Sequence, residues 1–119
     1  MTDQEIERKL AEVCGMKFYR SFEGPSCVKF TRPTFWIGNE FYFYEDKWHP
    51  LSNIEQSVMV EKAMFAKGYG LEIWHQANGF YRARFILFKA TRQQFEAYSR
   101  DLSEAISRAA IAALEPAHE

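Results

Sequence analysis

Apolar positions along this chain change period several times, and each change predicts an element. Ile6, Leu10 and Val13 recur at helical spacing behind Thr2-Asp3-Gln4-Glu5. That tetrapeptide is a capping box, in which the Thr2 hydroxyl and the Glu5 carboxylate each take the other's backbone amide. Gly15 stands where a helix closes in the left-handed conformation, so the first helix is predicted at about residues 3 to 14. Lys17 to Ser21 is short, aromatic and suited to extended backbone, and Gly24-Pro25 marks a turn. Cys27 to Phe30 and Thr34 to Ile37 are rich in strand formers but broken by Pro33, which cannot donate to a ladder. Gly38-Asn39 suits a tight hairpin turn that returns Phe41 to Tyr44 as the next strand.

Glu45-Asp46-Lys47 then interrupts the pattern, and Trp48-His49-Pro50 reads as a loop. Ser52-Asn53-Ile54-Glu55 has the form of a second capping box, with Ser52 as the cap. The helix it starts runs to about Lys67, with Ile54, Val58, Met64 and Phe65 predicted inward and Gly68 as its stop. Leu71 to Gln76 alternates as a strand, placing Leu71, Ile73 and His75 on one face and Glu72, Trp74 and Gln76 on the other. Asn78-Gly79 is the strongest hairpin signal in the chain. Phe80 to Lys89 returns, with Tyr81, Ala83, Phe85 and Leu87 on the apolar face and Arg82 and Arg84 on the opposite one. Thr91-Arg92-Gln93-Gln94 resembles a third capping box. Behind it Phe95, Tyr98, Leu102, Ile106, Ala109 and Ala113 keep one helical phase, which predicts a single long helix over about 92 to 114. The predicted order is α-β-β-β-α-β-β-α. Three amphipathic helices must bury their stripes against sheet, so the expected fold is α+β, a three-layer α/β/α sandwich with an antiparallel sheet.

Composition adds constraints. The 119 residues carry no repeat or linker and fit one domain over 1–119. A net charge of -1 argues against general nucleic-acid binding. Aromatic residues reach 17%, with 11 Phe, 6 Tyr and 3 Trp, a surplus that points to rings at an interface or in a pocket. Cys14 and Cys27 have no metal or disulfide spacing, which suits free thiols in a reducing compartment, the cytoplasm. The polar N-terminus does not read as a leader, and no apolar run approaches the roughly 18 residues of a membrane span.

Four groups carry candidate chemistry. Trp48 and His49 pair a ring with a titratable imidazole beside Pro50; the plain alternative is a plug that anchors the next helix. Trp74 and His75 fall on opposite faces of one strand, where a lone histidine is more often a hydrogen-bonded structural residue. Arg82 and Arg84 share a strand face, about 7 Å apart at a rise of roughly 3.3 Å per residue. With Trp74 across the hairpin they suit a phosphate-bearing ligand, because guanidinium forks match phosphate oxygens and rings stack on bases. The alternative is a solvated sheet face in which Glu72 pairs with an arginine. Finally, the hairpin bearing Phe35, Trp36, Phe41, Tyr42, Phe43 and Tyr44 has rings on both faces, so one face can join the core and the other must meet a helix or a partner, with Trp36, Tyr42 and Tyr44 as the interface candidates. Catalytic signatures such as G-x-S-x-G and H-E-x-x-H do not occur, and His49, His75 and His118 lack ligand spacing. No catalytic residue, metal or cofactor is expected.

The stretch Trp48-His49-Pro50-Leu51-Ser52-Asn53-Ile54, followed by Val58, Val60, Glu61 and Met64, resembles the phage ABA-sandwich domain family. The Gly15-Met16-Lys17 end of the first helix and the Ala-rich run from Ala105 to Leu114 fit the same pattern. The resemblance implies a phage or prophage protein with a three-layer sandwich fold and no assigned activity. Three functions follow as expectations: a non-enzymatic binder of a host or phage protein through an aromatic surface, with self-association; a sequestering protein for a nucleotide-type signal in host-defence evasion; and an unrecognised enzyme.

Overall fold

The computed structural model describes residues 1–25, 29–89 and 93–115. Cys27, the Thr91-Arg92 start of the third expected capping box, Pro116 and His118 lie outside the described residues. Helix α1 spans Asp3–Val13, and its Thr2 cap forms the expected reciprocal pair with Glu5. Strands β1 (Lys17–Tyr19), β2 (Thr34–Ile37) and β3 (Glu40–Tyr44) follow, then a 3-10 turn at Glu45–Lys47 and helix α2 (Ile54–Ala66). Strands β4 (Tyr69–His75), β5 (Tyr81–Leu87) and β6 (Gln93–Ser99) lead to helix α3 (Leu102–Leu114).

The α+β class and the antiparallel pairing stand as expected. The strands divide, however, into two three-stranded sheets, ordered β1-β2-β3 and β4-β5-β6. The added strand β6 corrects the long helix expected over 92 to 114. Residues 93–99 pair with β5 along its whole length, from Leu87 opposite Gln93 to Tyr81 opposite Ser99. The helix begins only after Asp101, whose carboxylate accepts the Ser103 amide as an N-cap. Phe95 and Ala97 therefore face inward by alternation of period two, not by a helical stripe.

Helix α2 starts one residue later than expected. Asn53, not Ser52, is the cap, and its side chain accepts the Gln56 amide. Its buried face is also rotated: Gln56, Ser57, Val60 and Met64 are buried, while Ile54 and Phe65 are exposed. The polar Gln56 turns inward because it satisfies the preceding loop. Its carbonyl accepts the His49 amide and its NH2 donates to the Lys47 carbonyl. Ser57 donates to the Ile54 carbonyl within its own helix. Ser107 of α3 does similar work for the loop, donating to the Pro50 carbonyl from a fully buried position.

One core joins the two halves. Ile6, Leu10 and Ala11 of α1 meet Phe35 and Trp48 on the first-sheet side, and Val60, Met64, Ala83, Phe85, Ile106, Ala109 and Ala110 continue the cluster to the second. Helix α1 packs on β1, α2 on β4, and α3 on β5 and β6, while the helices also pack on one another. The alanine run of α3 lets the sheet and its neighbouring helices approach closely, which is why Ala105, Ala109 and Ala110 have no exposed surface.

Candidate functional site

Strand β5 alternates as the sequence predicts. Ala83 and Phe85 point into the core with Tyr81 packed beside them. Arg82 and Arg84 point to the other face, on which Ile86 is buried and no helix among the described residues packs. The register then fixes their company. Trp74 lies opposite Arg82 and Glu72 opposite Arg84 on one side; Tyr98 lies opposite Arg82 and Glu96 opposite Arg84 on the other. Directly opposed residues share a face, so two rows stand side by side: Trp74-Arg82-Tyr98 and Glu72-Arg84-Glu96.

Both arginines lean on the Trp74 ring, with guanidinium carbons 4.8 Å (Arg82) and 4.9 Å (Arg84) from its centroid. Arg82 also reaches the Glu96 carboxylate at 2.7 Å, and Arg84 reaches the same oxygen at 3.4 Å. Glu72 stands 3.6 Å from the other side of Arg84. The hydrogen bond from Arg82 holds the Glu96 carboxyl below the usual carboxylate range and raises Arg82 in return. Trp74 and Tyr98 remain 39% and 49% exposed on this face. At the hairpin end Arg100 lies over the Phe80 ring, 4.6 Å from its centroid.

The structure thus brings together three of the expected site residues: Trp74, Arg82 and Arg84. Glu96 and Tyr98 were missed, because residues 93–99 were assigned to a helix. The period-two placing of Phe95, Ala97 and Ser99 was the signal that could have found them. The ligand reading changes as well. Two arginines shared between two carboxylates are locally neutral, so a phosphate group would have to displace Glu96 from both.

Trp48 and His49 belong to a different place. Trp48 is a core residue, 1% exposed, packed against Phe35 and Phe43, and its indole N–H donates to the Glu7 carbonyl at 2.6 Å. It is the plug, not an open stacking platform. Its edge and Phe35 form the inner wall of a cavity of about 280 Å³, whose rim is Gln4, Glu7, Arg8, Glu45, Asp46 and His49. Arg8 and Glu45 pair across that rim, and Arg32 pairs with Asp46 at 2.7 Å. Among the described residues no group of three or more His, Cys, Asp or Glu side chains could hold a metal ion.

The expected aromatic interface on the first sheet is partly closed by the chain itself. Trp36 is 5% exposed, its indole N–H bonded to the Thr34 hydroxyl. Phe30 stacks on Trp36 at 5.7 Å and meets Phe41 and Tyr44 edge-on, while Arg32 caps Tyr44 from 3.7 Å. The segment before β2 therefore covers Trp36 and part of Tyr44, while Phe41 keeps 37% of its surface exposed. Of the three interface candidates, Tyr42 stays exposed, Tyr44 is half-buried and Trp36 is buried.

No helix among the described residues is long and apolar enough to cross a membrane. The chain matches no family model, no curated protein and no solved structure.

Proposed function

We propose that this chain acts by binding, and that it docks a protein of the host or phage through the helix-free face of β4-β5-β6. The observation that carries this reading is the grouping of Trp74, Tyr98, Arg82 and Arg84 on one face with two rings still exposed. Tryptophan, tyrosine and arginine are the residue types that dominate binding energy at protein interfaces. Glu72 and Glu96 support a protein over a polyanion, since they neutralise the arginines that a nucleic acid or a nucleotide would need. Trp74 also has two guanidinium groups against its ring, which leaves less of it for stacking a base. The phage setting is the one the Trp48 to Met64 resemblance implies.

A photo-crosslinking residue placed at Tyr98 tests this in the cells that naturally express the chain, with the same residue at Glu12 on the α1 surface as control. The expected result is a discrete protein adduct from position 98 alone. An adduct of twice 14.0 kDa identifies the partner as a second copy of the chain, and a different mass identifies another protein. Equal labelling from both positions, or crosslinking to a nucleotide, contradicts the proposal.

A further inference from the structure

His49 sits between two groups that can only accept hydrogen bonds. Its Nε2 lies 2.6 Å from the Asp46 carbonyl oxygen, and its Nδ1 lies 3.2 Å from a carboxylate oxygen of Glu7. A neutral imidazole has one N–H and one lone pair. In this setting the lone pair would face an oxygen lone pair, whichever tautomer forms. Only the doubly protonated ring satisfies both contacts.

The two contacts belong to different elements. Asp46 lies in the 3-10 turn Glu45–Lys47, and Glu7 lies on α1. Glu7 is a hub: its second carboxylate oxygen faces the Leu51 amide at 3.4 Å, and its carbonyl takes the Trp48 indole. We infer that His49 is a proton-operated latch, whose doubly protonated ring ties the turn to α1 across the mouth of the Trp48 cavity and whose deprotonation releases that mouth.

The surrounding charges favour this direction. From α1 the facing charged groups are Glu7 and Arg8; from the turn they are Glu45 and Asp46; from α2 the uncharged Gln56 reaches the loop. Arg8 is held by Glu45, and Arg32 is held by Asp46, so neither cation is directed at the imidazole. Partial burial by itself lowers the pKa of His49. The Asp46 carbonyl and the Glu7 carboxylate outweigh it and raise the group above its ordinary 6.5. A raised folded pKa means that the latch is fully closed below about pH 6.5 and opens as pH rises through the folded value.

The latch can be read by nitrogen NMR of the imidazole, together with amide exchange corrected for its intrinsic pH dependence. In the unaltered protein at pH 6 both ring nitrogens should carry protons, with a titration midpoint above 6.5 that falls in Glu7→Gln. Protection of the Leu51 amide and the Trp48 indole should drop as pH passes that midpoint, and His49→Gln should abolish this pH dependence. A His49 ring with one bare nitrogen at pH 6 overturns the inference. So does a midpoint unchanged by Glu7→Gln, or the same pH-dependent loss of protection in His49→Gln.

Discussion

The two sheets have three strands each and differ in how they treat their tryptophans. In β1-β2-β3 one face meets α1 and Trp48 through Phe18, Phe35 and Phe43, and on the other Phe30 and Arg32 fold over Trp36 and Tyr44, burying Trp36 while Phe41 stays 37% exposed. In β4-β5-β6 the helices bury Ala83 and Phe85 on one face but leave Ile73 at its edge 43% exposed. The other keeps Trp74 and Tyr98 at the surface and lines them with charge. Aromatic abundance therefore does not locate an interface by itself. The first sheet is richer in rings yet buries its tryptophan, because the preceding segment carries a ring, Phe30, that covers Trp36. In the second sheet the arginines already lie against the Trp74 ring, and covering the face further would strip water from four charged groups, a cost few partnerless segments repay.

The largest effect separating the sheets should come from Trp36→Ala. Removing a ring that is 5% exposed should cost about 3–5 kcal/mol, measured as a shift of the denaturation midpoint at constant slope. Next in size is the cap of α2, the helix between the two sheets. Asn53→Ala should cost about 1 kcal/mol and Ser52→Ala close to none, because the Asn53 side chain is the acceptor for the Gln56 amide. Trp74→Ala should cost about 1 kcal/mol or less, in line with an exposed ring whose main loss is cation–π contact. A cost for Trp74→Ala equal to that for Trp36→Ala would erase the contrast. The double change of Arg82 and Arg84 to alanine removes the same two cation–π contacts together with the pairs to Glu72 and Glu96, from arginine side chains only 26% and 18% exposed, so it should cost about as much as Trp74→Ala and leave the protein folded. The same variant should lose the adduct formed from position 98. Unfolding of that variant would make the pair structural.

Much of this was legible in the chain. Thr2 and Glu5 announced α1, Asn78-Gly79 announced the β4-β5 hairpin, and alternation through residues 81–87 put Arg82 and Arg84 on the correct face. The Gly79 position shows why: its φ of 88° is one that residues with a side chain rarely adopt, and the Asn78 side chain accepts the Phe80 amide to close the turn. Residues 93–99 failed for a definite reason. Phe95, Tyr98 and Leu102 fit a helical stripe, while Phe95, Ala97 and Ser99 fit a strand equally well, and a short run cannot decide between periods. The deciding signal was local: Asp101-Leu102-Ser103-Glu104 is a helix start, so what precedes it is another element. The inward turn of Gln56 and the cover of Trp36 by Phe30 were not legible at all. Both depend on long-range partners, the loop carbonyl of Lys47 and a segment that folds back over its own sheet.

We propose the open face of β4-β5-β6, not the aromatic hairpin of β1-β2-β3, as the surface that binds. Hydroxyl-radical footprinting of the three tryptophans tests it in one sample, first with the protein alone and then in extract of the cells that express it. The account predicts that Trp74 is oxidised while Trp36 and Trp48 are spared in the isolated protein, and that Trp74 becomes protected in extract. Oxidation of Trp36 as fast as Trp74 in isolation, or an extract that leaves Trp74 as reactive as before, would contradict it.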